Sequence, residues 1–296
     1  MRNSKAPVGA SLVVLSSIFY ASYGVWTKLM GNFFDGYTAA MWRSILVIIF
    51  LAPFAIYFRQ LEPIRFKQNW RYIAGMFVAS LFTWGPLYYA ILHAGIGITL
   101  TIAYASIVIG AFFFGWLFVK ERFTIDKAIS AGLGIFGLGL IFSPSIASLG
   151  FIALLAAVVG GLSSAANMVF SKQIRYNATQ STLVLWTASV LANLVMAILF
   201  SASNPHIGLQ IQWLYLVFFA IASVIASWAL ITGLKLIDAG AAGILGLLEI
   251  VFGVLFGVFF FNERPNVVAL LGMAVIIVAA AIPYAKDYNA QRGTLE

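Results

Sequence analysis

Ser16, Tyr20, Tyr23 and Thr27 stand at i, i+4, i+7 and i+11, the spacing that gathers side chains onto one stripe of an α-helix. Thr182, Trp186, Ser189 and Asn193 repeat the pattern, and other apolar stretches add Ser80, Trp84 and Tyr88, then Thr101 and Tyr104, then Ser163, Ser164 and Asn167, then Ser223, Ser227 and Trp228. Rings offer apolar contact, and hydroxyls and amides offer hydrogen bonds, with almost no formal charge. That chemistry is recognition of a small amphipathic solute rather than bond breaking. Tyr20, Tyr23, Trp84, Tyr88, Tyr104, Ser163, Ser164, Asn167, Trp186 and Trp228 are therefore the expected lining of a binding cavity. For any one ring the competing reading is simple packing or a place in an interfacial belt, and Trp42 and Trp213, near the ends of their stretches, are assigned to the belt.

Two charges fall inside apolar stretches. Glu249 lies about ten residues into its stretch, on a stripe with Ala242, Gly246 and Gly253. It could exchange a proton or bind a substrate amine; equally, it could hydrogen-bond a neighbouring helix and fix packing. Arg43 lies about six residues into its own stretch, roughly 9 Å deep at 1.5 Å per residue, and can snorkel outward. Its readings are a structural partner such as helix-end carbonyls, or a substrate carboxylate.

The elements that must position these residues follow from composition. Hydrophobic residues make up 62% of the 296 and charged ones 9%, far from the balance of a soluble domain. About 20 mostly apolar residues cross roughly 30 Å of hydrocarbon, and such stretches occupy nearly everything: 9–30, 37–58, 71–93, 96–119, 125–142, 150–171, 180–201, 212–234, 240–261 and 266–286. Continuous apolar runs of this length predict helices, not barrel strands. The first run is expected to stay as a helix, since it lacks a small-residue cleavage site and nine more follow. Cysteine is absent, which removes disulfides, thiolate metal sites and cysteine catalysis.

All basic residues except Lys28, Arg43 and Arg264 fall on one side when ten spans are threaded from a cytoplasmic N-terminus, which predicts both termini in the cytoplasm. The charges are scattered over short loops and read as topology signals, so no nucleic-acid partner is expected. The stretch GWLFVKERFT at 115–124 returns as GVFFFNERPN at 257–266, with Glu121 over Glu263 and Arg122 over Arg264. The first copy follows span four and the second span nine. The repeat unit is thus five helices, an odd number, and the second copy enters the membrane upside down. The predicted fold is an all-α integral membrane protein of two inverted five-helix repeats, 1–143 and 150–296, joined near SPSIASLG (143–150) around a central cavity at the midplane. The Glu–Arg pairs are expected to close helical hairpins, with Thr124 or Asn266 capping the next helix. Gly132, Gly134, Gly137 and Gly139, and Gly253 with Gly257, are expected at close helix contacts.

With KERFT, NERPN, the aromatic first helix running into Lys28, the MWR of Met41 to Arg43, and ALITGLKLIDAGAAGILGLLEIVFG at 229–253, the chain resembles the EamA type of the drug/metabolite transporter superfamily over nearly its whole length. Within it the chain is most similar to the YddG-type exporters of aromatic and other amino acids. The resemblance implies two five-helix halves around a central cavity, export from the bacterial cytoplasm and an inner-membrane location. The expected cargo is amino acids and related small metabolites, moved by alternating access; a monomer is expected in preference to a dimer, though the glycine contacts could also form a dimer seam, and no cofactor is expected. Family members often carry a proline in the middle of helix four and after the Glu of helix nine; here those places read ASIVIG (105–110) and LEIVFG (248–253), so straight helices are expected.

Rival classes have less to stand on. An enzyme needs convergent acids, bases or metal ligands, yet away from their ends the spans hold one acid, and His93 and His206 lie at span ends or in loops. No metal motif or phosphate loop occurs. A channel would show a charged or carbonyl filter. An exporter of lipophilic cations remains open through Glu249, as does the choice between facilitated diffusion and proton antiport.

Overall fold

The structure, a computed structural model, describes residues 5–122, 124–142, 150–201 and 210–292, with side chains as far as residue 282. Arg2, His206 and the expected join, apart from Gly150, lie outside the described residues, as do the side chains of Lys286 and Arg292. The helices are α1 (Ala6–Met30), α2 (Gly36–Tyr57), α3 (Phe66–Ala94), α4 (Ile96–Phe114), α5 (Ile125–Phe142), α6 (Phe151–Gln173), α7 (Ala178–Phe200), α8 (Ile211–Leu234), α9 (Ala239–Gly246), α10 (Leu248–Phe261) and α11 (Val267–Arg292). Among the described residues no strand occurs, and nine helical stretches are long and apolar enough to cross a bilayer, with Val267–Ile282 a shorter apolar segment. We call the end where α1 begins the near end and the end where it stops the far end.

The helices begin and end where local chemistry dictates. Asp35, Asn177 and Asn266 accept hydrogen bonds from backbone N–H groups opening α2, α7 and α11, as N-caps do. The repeated sequence is a repeated helix end. After a widened π turn over Gly115–Val119, Lys120 takes a left-handed conformation (φ 58°), and the Glu121 N–H reaches the Gly115 carbonyl six residues back (3.1 Å). At the end of α10, Asn262 (φ 53°) and the Glu263 N–H on Gly257 (3.1 Å) do the same. A Cβ on Gly115 would stand 2.8 Å from Glu121 Oε2 and one on Gly257 2.4 Å from Glu263 Oε2. Glycine and glutamate therefore recur together because each carboxylate folds back beneath its own helix end.

Two expectations are corrected. The ninth span is interrupted at Leu247 rather than straight: the Leu247 and Ile250 N–H groups each reach only three residues back, to Ile244 and Leu247 (3.1 Å), a 3₁₀-like tightening. No proline is needed, because Gly243 and Gly246 weaken the helix and Gly246 has no neighbour against the place of a Cβ. The fourth span runs unbroken through 105–110. Of the expected packing glycines, Gly137 meets Gly272 of α11 so closely that a Cβ on either would lie under 3 Å from the other's carbonyl oxygen, and Gly134 abuts Leu247, but Gly132, Gly139 and Gly253 face open space.

Packing is pairwise: α1 on α8, α3 and α4 on α6, α5 on α11 and α2 on α7. The near half of the axis is filled by Val13, Ala111, Val169, Leu234, Ala239, Ala242 and Leu245 from α1, α4, α6, α8 and α9. Several hydroxyls inside the bundle donate to the carbonyl one turn back: Ser17 to Val13, Ser44 to Ala40, Thr83 to Ala79, Ser189 to Leu185, Ser223 to Phe219. This is how helices hold polar groups away from water.

Candidate functional site

Arg43 stands seven residues into α2 from the far end, about 10 Å along the helix, and is only 2% exposed. It does not snorkel. Rings from four other elements surround it: its Cζ lies 4.5 Å from the Trp84 ring centre on α3, 4.6 Å from Phe219 on α8, 5.0 Å from Tyr23 on α1 and 5.6 Å from Trp186 on α7. These distances are those of cation–π contacts. No carboxylate lies within ion-pair distance among the described residues, and the Nε–H has no acceptor.

The cage is held from behind. One residue beyond Arg43, Ser44 accepts a hydrogen bond from Asn193 Nδ2 of α7 (2.8 Å), and Trp186 Nε1 donates to Ser227 Oγ of α8 (2.8 Å). Tyr23 meets Phe219 edge-on at 4.5 Å and Tyr20 at 5.2 Å. The Tyr23 hydroxyl lies beside Ser223, whose own hydroxyl is committed to the Phe219 carbonyl, and forms no hydrogen bond of proper geometry.

The acid belongs to the same region. Glu249, in the first turn of α10 just after the break at Leu247, is half-buried beside the Tyr104 hydroxyl. Tyr20 and Tyr23 are each within electrostatic reach of both Arg43 and Glu249, yet the two charges form no pair. The site therefore holds one cation and one acid that do not pair, with Tyr23 against the cation and Tyr104 beside the acid.

Of the ten expected lining residues, Tyr20, Tyr23, Trp84, Tyr104 and Trp186 gather here. Asn167 lies next to them, donating to Ser80 Oγ (3.3 Å) and Thr83 Oγ1 (3.4 Å) on α3, with Oδ1 unpartnered. Ser164 donates to the Gly160 carbonyl (2.9 Å). Three lie elsewhere. Tyr88 packs edge-on to Tyr37 at 4.9 Å, over Gly36 at the far end. Ser163 lies in a separate apolar groove of about 420 Å³ with Gly75, Phe82, Phe114 and Phe170. Trp228, 37% exposed, shares the outward stripe of α8 with Leu214, Phe218 and Ile221, because it is one residue, about 100°, round the helix from buried Ser227. Phe219 escaped sequence reading since a phenylalanine in an apolar helix carries no polar signal, although it stands one turn before Ser223. Trp42 and Trp213 meet at 5.5 Å in an aromatic cluster with Phe34 near the far end.

The two ends differ. At the near end Glu121 accepts from Lys172 Nζ (2.6 Å) and the Ala239 N–H (2.8 Å), Lys172 also donates to the Ile237 carbonyl (2.6 Å), and Lys127 pairs with Asp238. Glu121 thus bonds across the bundle instead of capping its own hairpin. At the far end Glu263 pairs with Lys28 (2.7 Å), and both are about half exposed. Arg122 and Arg264 are exposed. Asp35 ties α2 to α7 there. Its burial works to raise its pKa, but hydrogen bonds from the Thr38 and Ser201 hydroxyls and the Thr38 and Tyr37 N–H groups outweigh that and hold it below the usual 3.8.

The profile of the EamA-like transporter family matches residues 7–143 and again 151–284. The chain belongs to the EamA-like transporter family. As a member, it is a multi-pass membrane protein that moves small molecules. Two proteins from different strains of Helicobacter pylori, each described as an uncharacterized transporter, are 21% identical to this EamA-like chain over 286 residues, covering 93% of it and 93% of their own length. A solved crystal structure, described only as that of a protein, superposes with a TM-score of 0.77 at 18% identity over 95% of this chain and 98% of its own, a likeness of fold.

Proposed function

We propose that this EamA-like transporter exports amino acids, aromatic and other neutral ones, and related small metabolites across a bacterial inner membrane. The reading rests chiefly on the cluster of Tyr20, Tyr23, Trp84, Tyr104 and Trp186, where rings supply apolar surface while one acid and one base stand apart. A neutral amino acid presents the complementary set: an apolar side chain, an ammonium and a carboxylate. Such loosely specific packing on rings suits a range of side chains.

The mechanism in this proposal is alternating access by a monomer of ten spans, with 1–143 and 150–296 as oppositely inserted halves and both termini in the cytoplasm. Reciprocity between the halves supports it. Contact of α1 with α8 is matched by contact of α6 with α3, and Glu121 bonding the end of α6 is matched by Glu263 bonding the end of α1. Positive-inside charge places the near end in the cytoplasm. The apolar plug and the bonded near end then belong to a state closed to the cytoplasm, around which one half rocks against the other.

Counterflow into proteoliposomes, using labelled phenylalanine, leucine and a lipophilic cation, is the test. Saturable amino-acid flux with no cation flux is expected, and flux of the cation alone would refute the assignment. The aromatic lining and Glu249 favour the cation reading, but a cation would also face the unneutralised Arg43.

A further inference from the structure

Resting on the amino-acid reading above, we infer that Arg43 is the anchor for a carboxylate, so that a substrate lies with its acid group toward α2 and its amine toward Glu249 and Tyr104. The argument is a census of donors. A carboxylate needs N–H or O–H groups pointed at it, and near the cage most of those are already spent, the Tyr23 hydroxyl being left, like the Arg43 Nε–H, without a partner. Ser44, Ser223 and Ser227 donate to carbonyls of their own helices, Trp186 Nε1 donates to Ser227, and the Asn167 amide donates to Ser80 and Thr83. Those hydroxyl oxygens can still accept, which suits an ammonium and not an acid.

The guanidinium is different. Its rings lie against it as cation–π partners, which satisfy charge but accept no directed hydrogen bond, and its Nε–H is left without an acceptor while the residue is 2% exposed. A buried cation with neither carboxylate nor carbonyl is costly unless something completes it. A carboxylate does so bidentately, in the plane of the fork and away from the ring faces. The cage also explains how Arg43 can wait empty. Four rings compensate part of its charge between cycles, and none competes for the in-plane donors. At the other end, Glu249 forms no ion pair with Arg43, so that the two do not neutralise each other.

The test uses the full chain in proteoliposomes, with labelled L-phenylalanine as the carried probe and three competitors: unlabelled L-phenylalanine, 3-phenylpropionate, which lacks the amine, and phenethylamine, which lacks the acid. Thermal stabilisation of the purified protein by each competitor is read in parallel. In the native protein phenylpropionate is expected to compete and stabilise more strongly than phenethylamine. Arg43→Gln should raise the KM for L-phenylalanine about tenfold to a hundredfold, the loss of a charge-assisted bidentate pair. It should also abolish the phenylpropionate effect and leave phenethylamine unchanged, while Arg43→Lys falls between.

An Arg43→Gln variant with a KM within about twofold of native and the same competitor ranking would assign Arg43 to packing. Should Arg43→Gln fail to fold, the native ranking and Arg43→Lys still decide, and phenethylamine competing as well as phenylpropionate would overturn the proposal. If no amino acid is carried at all, the amino-acid reading falls by itself. Phenylpropionate stabilising native protein more than Arg43→Lys would then still support a carboxylate site, and equal stabilisation of the two, or of neither, would remove it.

Discussion

Lys172 and Glu121 meet at 2.6 Å with only 15% and 10% of their side chains exposed, whereas Lys28 and Glu263, their counterparts at the far end, meet at 2.7 Å with 52% and 55% exposed. Equal distances, then, carry unequal energies. Removing one member of a buried pair strands the other, at about 3–5 kcal/mol, while an exposed pair is worth about 0–1 kcal/mol. Glu121→Gln is expected to destabilise the detergent-solubilised protein by about 3 kcal/mol, since it also weakens the hold on the Ala239 N–H that opens α9. Glu263→Gln should cost under about 1 kcal/mol. Thermal or denaturant unfolding measures both, and equal losses would show that the near end is no tighter than the far one.

The glycines beneath these carboxylates separate geometry from energy. A Cβ at Gly257 would stand closer to its glutamate than one at Gly115, 2.4 Å against 2.8 Å. Glu263 can nevertheless swing into solvent, and Glu121 is fixed by two partners. Gly115→Ala is therefore expected to cost about 1–3 kcal/mol through overpacking, and Gly257→Ala to lie within about 0.5 kcal/mol of native, offset by alanine's helix propensity. In a double-mutant cycle the Gly115→Ala cost should shrink on a Glu121→Ala background. A cost that persists there would trace to backbone instead.

Much of this was readable before any coordinates. The helices follow from apolar runs that must satisfy their own backbone in lipid, and the KER/NER repeat is a helix-end device that requires both its Gly and its Glu. The stripe logic pointed to Tyr20, Tyr23, Trp84, Tyr104 and Trp186, which the structure brings near one another, because polar and aromatic groups recurring at helical spacing share one face of a helix. It misplaced Trp228, which is adjacent in sequence to Ser227 but a quarter-turn round the helix. It could not see Phe219, which is apolar among apolar neighbours. Lys172 and Lys127 read as topology signals and are also ion-pair partners, a role that depends on which helix ends meet across the bundle and leaves no local trace. The break at Leu247 has no proline to mark it in the sequence, because two glycines and an unoccupied flank suffice.

Asp35 gives a pH dependence with a definite sign. Its folded-state pKa lies below the usual 3.8, so it adds stability that is fully present above that value and is lost as pH falls through the folded pKa. Asp35→Asn should be less stable than native by a constant margin from about pH 5 to about pH 8, with the gap closing below about pH 4. Thermal unfolding over a pH series checks it. A gap that widens in acid would mean that the hydrogen bonds from Thr38 and Ser201 do not favour the ionised form.

The break at Leu247 sits two residues before Glu249, which makes it the natural flexing point if the segment carrying this acid moves during transport. Gly246 has open space where a Cβ would stand, so alanine fits without a clash and adds helix propensity of about 0.5–1 kcal/mol. Gly246→Ala is expected to unfold at an equal or higher temperature and yet to slow counterflow several-fold, because a stiffer turn resists the change between closed and open arrangements. Gly253→Ala is the control. It also faces open space but lies within unbroken α10, so it should add similar stability and leave the rate near native. Slowing of both variants alike would point to lost cavity volume, and slowing of neither would mean that the interruption of the ninth span is not a hinge.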